Sequence, residues 1–475
     1  MKKRYYIVFA LMTILLVVCA SCQSKNDTYD NVTENPGDNI TMAVGTKPTE
    51  NEGLTEGDGQ NGESKQDETG QTDTDSTAES QNQTNAGGST ETIKPSETAK
   101  PSENTKPTEP PAQQPENPGG SIESQISYYL SKLTLEEKIC QMFVVHPEKL
   151  VNKSSAYTAA DETTRAAINK YPVGGVVYFD ANLKSESQVK TMLSNTQKYS
   201  LDRVGLPMLL CVDEEGGKVA RIAGSGRFNV PVFDNMCVIG AAGDISKAYN
   251  VGDTIGGYLS RLGFNVDFAP VADVLSNSDN TVVKLRSFGS SPALVSNMAL
   301  AVSNGLNKHG VYSTYKHFPG HGATEGDTHE GYAYTSKTLE QLKACELQPF
   351  QNAINNGADF IMVGHISVPS VTGDNTPASL SYRMITEILR NQMGYDGIVI
   401  TDSIRMGAIV NNYSANEAVV RSIEAGNDIV LMPDNLEQAF NAVLSAVRSG
   451  RISEQRINES VARILKVKLN IKKNM

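Results

Sequence analysis

The chain has 475 residues and a formal charge of −12, with 42 Lys and Arg against 54 Asp and Glu. That balance excludes a protein built to coat nucleic acid, which needs a basic surface. The hydrophobic share of 39% falls below the roughly 45–50% usual for globular domains. A polar segment therefore dilutes the average, and the length, enough for two to four domains of about 100–200 residues, has to be divided before it is interpreted.

Residues 1–22 come first. Lys2, Lys3 and Arg4 precede an apolar run from Tyr5 to Val18, and Ala20-Ser21 precede Cys22. A basic start, an apolar stretch and small residues at a cleavage point make an export signal. Its ending resembles a bacterial lipobox, with Cys19 where Leu or Val is commoner, so Cys22 is expected to become the lipid-bearing N-terminus. Residues 23–120 carry 6 Lys against 19 Asp and Glu and contain six residues of the Leu, Ile, Val, Met and Phe set, with Tyr29 the sole aromatic. Such a stretch cannot bury enough apolar surface to offset chain entropy. It reads as a disordered, acidic Ser/Thr/Gly/Pro-rich linker, stiffer from Lys94 to Gly120 where Pro accumulates.

Residues 121–475 have a net charge of −2 and hold all six His. Short apolar, β-branched runs alternate with amphipathic stretches. The runs are 141–145, 174–178, 208–212, 266–269, 311–315, 360–363, 397–401 and 429–432. Several are hydrophobic on both faces, as a fully covered parallel sheet requires. Ile126, Leu130 and Leu133 space an early helix, and Thr134 with Glu137 forms a capping box for the next. Further helices are expected near 186–200, 244–262, 292–308, 337–356, 382–393, 413–425, 435–449 and 453–471. Eight strands alternating with helices predict a single α/β (β/α)8 TIM-type barrel. A doubly wound open sheet is the alternative, weakened by the lack of a GxGxxG run after an early strand. Cys140, Cys211, Cys237 and Cys345 show no CxxC pairing and no metal-ligand spacing, so no disulfide framework is expected.

In a barrel, functional side chains stand at the C-terminal ends of strands. Strand three runs into Asp213-Glu214-Glu215-Gly216-Gly217, with Arg221 eight residues beyond Asp213. Carboxylates there are costly unless they meet solvent, a ligand or a cation. Strand five runs into Lys316-His317-Phe318-Pro319-Gly320-His321-Gly322, a donor-rich cluster suited to holding hydroxyl groups. Asp327 and His329 follow on a glycine-rich loop, and a carboxylate on one imidazole nitrogen fixes the tautomer and raises the basicity of the other. Asp402 follows strand seven at once, and a carboxylate there can attack an anomeric carbon or stabilise positive charge. A helix cap at Asp402 and a structural Asp213–Arg221 pair are the bland alternatives. Arg286, after strand four, and His365, after strand six, are weaker candidates. Metal-hydrolase barrels typically carry an H-x-H pair on one strand, and this chain has none.

Together these motifs resemble glycoside hydrolase family 3, in its β-N-acetylhexosaminidase branch of the NagZ type. The resemblance spans nearly all of 125–470 and rests on Leu135–Ile139, Asp213–Arg221, Phe268–Val271, Arg286–Gly289, Lys316–Gly322, Asp327–His329 and Thr401-Asp402. The run KHFPGHG followed by Asp-Thr-His is its most specific part. β-Glucosidases of the family generally lack the Asp-x-His loop and take a Glu from a further domain. Here no further domain is expected after the barrel, so the acid comes from the barrel itself. The resemblance implies Asp402 as nucleophile, His329 as general acid/base and Asp327 as its orienting partner. Asp213, Arg221, Arg286, Lys316 and His317 would bind a terminal N-acetylglucosamine. It departs from the pattern at Val283-Lys284-Leu285, where the family usually has Ile-Gly-Asp, and at Lys218, where Arg is commoner. The implied activity is a retaining, exo-acting β-N-acetylglucosaminidase on cell-wall (peptidoglycan) fragments. It needs no metal, no organic cofactor and no obligate protein partner, and the anchored chain would work outside the membrane. A family member with another sugar preference, a phosphorylase, or a catalytically dead surface-anchored binding module are the competing expectations.

Overall fold

The computed structural model describes residues 120–331 and 333–475. The signal, Cys22 and nearly all of the acidic linker lie outside the described residues. Eight strands form one sheet: β1 Phe143–Val145, β2 Gly175–Tyr178, β3 Leu209–Val212, β4 Val266–Asp267, β5 Tyr312–Phe318, β6 Phe360–Val363, β7 Ile398–Thr401 and β8 Val430–Leu431. Every ladder is parallel, in the order β7-β6-β5-β4-β3-β2-β1-β8. A parallel bridge between Ile400 and Ile429 joins the two ends. The ring is closed, and the expected (β/α)8 barrel is the observed fold.

The sequence reasons for these elements are local. The strands are rich in β-branched and aromatic residues and are buried on both faces, as helices outside and packed side chains inside demand. The helices are α1 Ile122–Lys132, α2 Leu135–Gln141, α3 Glu186–Val204, α4 Ile245–Leu262, α5 Pro292–Lys308, α6 Gln348–Asn355, α7 Arg383–Gln392 (wound as a π-helix), α8 Ala415–Ala425, α9 Leu436–Arg448 and α10 Glu454–Asn474, beside a helix at Glu162–Lys170, which sequence reasoning did not predict, and shorter pieces. Thr134 and Glu137 make the expected capping box on α2. Ser185, Asp244, Ser291, Ser414, Asn435 and Ser453 each accept a first-turn N–H from the helix that follows, a contribution of about 1 kcal/mol apiece. The α4–α5 contact is made by two glycines. A Cβ on Gly252 would lie 2.1 Å from the Val302 carbonyl, and one on Gly305 would lie 2.3 Å from the Asp253 nitrogen.

Several boundaries differ from expectation: β5 runs on to Phe318, and α3 and α10 extend to Val204 and Asn474. The first strand begins at Phe143, because Gln141 still belongs to α2. The fourth is only two residues long: the cis Ala269–Pro270 bond follows, and pairing survives as an isolated bridge between Val271 and Lys316. The stretch 337–356 is two helices, Leu339–Ala344 and α6, parted at Cys345 (φ −138°, ψ −82°). Pro349 begins the second piece comfortably but could not continue the first.

The bottom of the barrel is closed by polar ties. Lys468 of α10, fully buried, donates from Nζ to Gln141 Oε1 at 2.7 Å, and Gln141 Nε2 donates to the Pro172 carbonyl at 2.7 Å. Asp428, just before β8 and fully buried, accepts from Val399 N at 2.9 Å and Ser460 Oγ at 2.7 Å and pairs with Arg390.

Candidate active site

The chain beyond β3 folds back as a tight hairpin, Glu214–Gly216 against Val219–Ala220. Gly217 turns it at φ +62°, with Asn235 Cα only 2.6 Å from where a Cβ would stand. Consecutive side chains leave an extended strand on opposite sides, and here that sorts three carboxylates. Glu214 faces the outer packing and accepts from Ile222 N (2.7 Å), Ala223 N (2.9 Å) and Tyr258 Oη (2.6 Å). Asp213 and Glu215 face the mouth.

Lys316 and His317 reach that mouth from β5, whose register with β6 shifts between Tyr315 and Phe318. Such an irregularity re-aims side chains at a barrel rim. Lys316 Nζ lies 2.6 Å from Asp213 Oδ1 and 2.7 Å from Glu215 Oε1. Arg286 grips Glu215 with two parallel bonds, Nε to Oε2 at 2.8 Å and one terminal nitrogen to Oε1 at 2.6 Å. Burial alone would raise the Glu215 carboxyl, but Arg286 and Lys316 outweigh it and hold the group well below the usual carboxylate range. In return, Lys316 is raised against its own burial by Asp213 and Glu215, and Arg286 by Glu215. All three are charged at neutral pH.

His317 is fixed by Asp273, whose Oδ2 lies 2.8 Å from Nδ1 and whose Oδ1 accepts the His317 backbone N–H at 3.1 Å. The carboxylate directs the Nδ1–H tautomer and turns Nε2 towards Arg286, 3.5 Å away. Asp402 stands at the end of β7 and accepts from Ser403 N at 2.7 Å. Burial pushes its carboxyl up, while His317, His365, the Ser403 N–H and His329 bring it below its ordinary value. It is therefore an ionised carboxylate facing imidazoles rather than a helix cap, since the next helix begins only at Gly407. His365 is fully buried between Ser379 Oγ (2.7 Å from Nδ1) and the Ser403 carbonyl (2.8 Å from Nε2), and burial lowers its imidazole.

Asp327 Oδ1 meets His329 Nδ1 at 2.8 Å and the His329 backbone N–H at 2.9 Å. Hydrogen bonding from His329 takes the Asp327 carboxyl down to about 2. The loop rests on the residues after Asp402: Gly407 N donates to the His329 carbonyl and Ala408 N to the Thr328 carbonyl, at 3.3 and 3.1 Å. Arg221 is placed differently from expectation. Its backbone N–H meets the Asp213 carbonyl at 3.3 Å, but its guanidinium lies 5.0 Å from the Phe179 ring centroid at the end of β2. Asp213 pairs with Lys316 instead, so the structural Asp213–Arg221 pair is not formed. A cation over an aromatic face is held without a carboxylate, which leaves the guanidinium hydrogens for another acceptor.

Asp213, Arg286, Lys316, His317 and Asp402 thus gather at one barrel mouth, with the Asp327–His329 pair docked beside them and Arg221 on the rim. Glu215, Asp273 and Phe179 are the partners that sequence reasoning did not single out. Glu215 was legible as the residue two beyond Asp213, on the same strand face. Asp273 and Phe179 carried only the weaker signal of a polar or aromatic residue just past a strand. A cavity of about 1080 Å³ opens at the opposite face, lined in part by Leu193, Arg261, His309 and Asp359, and none of the mouth residues borders it.

The Glycosyl hydrolase family 3 N terminal domain matches residues 134–467. This chain belongs to glycosyl hydrolase family 3. Among relatives, "Beta-hexosaminidase A" of Pseudoalteromonas piscicida is 31% identical over 342 residues, 67% of this chain and 56% of that protein. "Beta-hexosaminidase LpqI" of Mycobacterium tuberculosis is 32% identical over 348 residues, 71% of this chain and 83% of its own. A solved family 3 β-N-acetylglucosaminidase from Paenibacillus sp. str. FPU-7 superposes with a TM-score of 0.67 at 36% identity, covering 72% of this chain and 64% of the other. This family 3 chain therefore spans little more than half of the first relative and most of the second.

Proposed function

We propose that the protein is a retaining, exo-acting β-N-acetylglucosaminidase. The observation that carries this reading is the meeting, at one barrel mouth, of an ionised Asp402 and a hydrogen-bonded Asp327–His329 pair, beside the Asp213–Lys316–Glu215–Arg286 network. The names of its relatives support the sugar. Asp213, Lys316, Arg286, Arg221 and His317 bind the hydroxyl and acetamido groups of a terminal sugar. Asp402 attacks the anomeric carbon as His329 donates a proton to the leaving oxygen, giving a covalent glycosyl-enzyme. His329, now neutral, takes a proton from water, which attacks the same carbon and releases the sugar with Asp402 restored. Asp327 keeps Nδ1 protonated so that Nε2 does the transfer. An imidazole suits this double role because its ordinary pKa, about 6.5, lies close to neutral pH.

A chromogenic panel of β-N-acetylglucosaminide, β-glucoside and β-xyloside, with and without phosphate, tests the reading. Hydrolysis of the first is expected to dominate, and Asp402→Asn is expected to abolish it in a folded protein. Activity on the β-glucoside alone, or full activity in Asp402→Asn, refutes it. We also propose that the enzyme is exported and lipid-anchored through Cys22 and that it trims cell-wall fragments. Fatty-acid labelling of the wild type but not of Cys22→Ala is the expected result, and equal labelling of both rules the anchor out.

A further inference from the structure

His321, the second histidine of the KHFPGHG run, takes no part in the chemistry above, yet it lies directly beneath the loop that carries it. Its backbone N–H donates to Asp273 Oδ1 at 2.6 Å, the same oxygen that accepts from His317 N. One buried carboxylate thus fixes both the residue beside the sugar and the start of the turn at His321–Ala323. The residue is only 2% exposed. Its Nδ1 faces Thr324 Oγ1 at 3.1 Å and the Asn280 amide nitrogen at 3.5 Å. Both neighbours can donate, and with Nδ1 as their acceptor Nε2 carries the hydrogen. Burial takes the imidazole down to about 4, which keeps it neutral at working pH. Nε2 then points its hydrogen at Thr328 Oγ1, 3.4 Å away.

Thr328 is the middle residue of Asp327-Thr328-His329. Its side chain is buried while its two neighbours are partly or largely exposed. It is held from both sides, by His321 through the hydroxyl and by Ala408 N through the carbonyl. We propose that His321 is a positioning residue for the proton-transfer step: through the Thr328 hydroxyl it sets where the Asp327–His329 pair stands over the barrel mouth. The inference rests on the acid/base reading of His329.

The test uses Thr328→Val, which keeps the shape and removes the acceptor, together with His321→Gln and His321→Ala. Each is assayed for kcat/KM on aryl N-acetyl-β-glucosaminides of graded leaving-group ability. A displaced acid costs rate only where a proton is needed. The expected loss is about 10- to 100-fold on the poorest leaving group and under about 3-fold on a dinitrophenyl glycoside, which needs no acid. His321→Gln, whose amide still donates, is expected to retain more activity than His321→Ala. In a His329→Ala background, Thr328→Val should cost nothing further. An equal loss on every leaving group, no loss at all, or an additive loss in that background overturns the proposal. If His329→Ala itself shows no leaving-group dependence, the acid/base reading fails. If it shows one and Thr328→Val does not, only the positioning role fails.

Discussion

Replacing Lys468 by Met isolates the cost of one buried charge. Burial depresses the Lys468 ammonium from 10.5 to about 7, and its direct partner is the neutral Gln141 amide at 2.7 Å. Between those two values the unfolded chain binds a proton that the folded chain lacks, so folded stability rises with pH across that window. Below about pH 7 the lysine is charged in both states and its burial cost is fully felt, on the order of 5 kcal/mol from linkage. Met removes that cost but leaves Gln141 Oε1 without its donor, a loss of about 1–3 kcal/mol. Lys468→Met should therefore be more stable than wild type at pH 6, and should lose that advantage as the pH rises. Other titrating groups cancel in the comparison. From pH 7 to 9 the stability difference should move by about 2–3 kcal/mol, or about 4 °C in relative Tm for a cooperative unit of this size. Thermal unfolding of both proteins from pH 6 to 9 measures it. A difference in Tm that stays constant within about 1 °C over that range refutes a charged-to-neutral change at Lys468.

Glu215→Gln leaves Arg286 and Lys316 buried with one carboxylate fewer between them. A destabilisation of about 3–5 kcal/mol is expected, with a raised KM, and denaturant unfolding with steady-state kinetics reads both. Because its folded carboxyl is held below the ordinary value, the Glu215 contribution is complete above the unfolded carboxylate pKa and falls away on acidification towards the folded one. The acid limb of stability should therefore flatten in Glu215→Gln. Asp327→Asn removes the carboxylate that holds His329 Nδ1 at 2.8 Å. Its kcat/KM should fall, with the largest loss on poor leaving groups, and an equal loss on good and poor leaving groups counts against the pairing.

The barrel was legible because its strands are covered on both faces, so that apolar runs such as Phe360–Val363 and Ile398–Thr401 stand out against amphipathic helices. What failed locally had local causes. The fourth run ends early because Pro270 removes a donor, and 337–356 breaks at Cys345. In the site, side chains next to specific strand ends were legible, whereas their partners were not. Lys316 and Asp213 are 103 positions apart, and nothing in the spacing says that Lys316 takes Asp213 and leaves Arg221 to Phe179. Asp273 is a single acidic residue in an apolar stretch, and its role exists only because the turn after β5 folds back over it. Such pairings are products of barrel closure rather than of sequence distance.

The seam of the ring has a consequence for how the chain is made. β1 borders β8, and β8 is bracketed by β7 through the Ile400–Ile429 bridge, so the first strand formed waits for nearly the last. Until residues 430–474 have been synthesised, the sheet has two unpaired edges and the Gln141 floor lacks Lys468. Open edges of that kind invite pairing between chains, and contacts this distant in sequence form slowly. Until its synthesis is almost complete the growing polypeptide therefore carries open strand edges, and a chaperone-like factor that shields such edges would act in that interval rather than on the closed barrel.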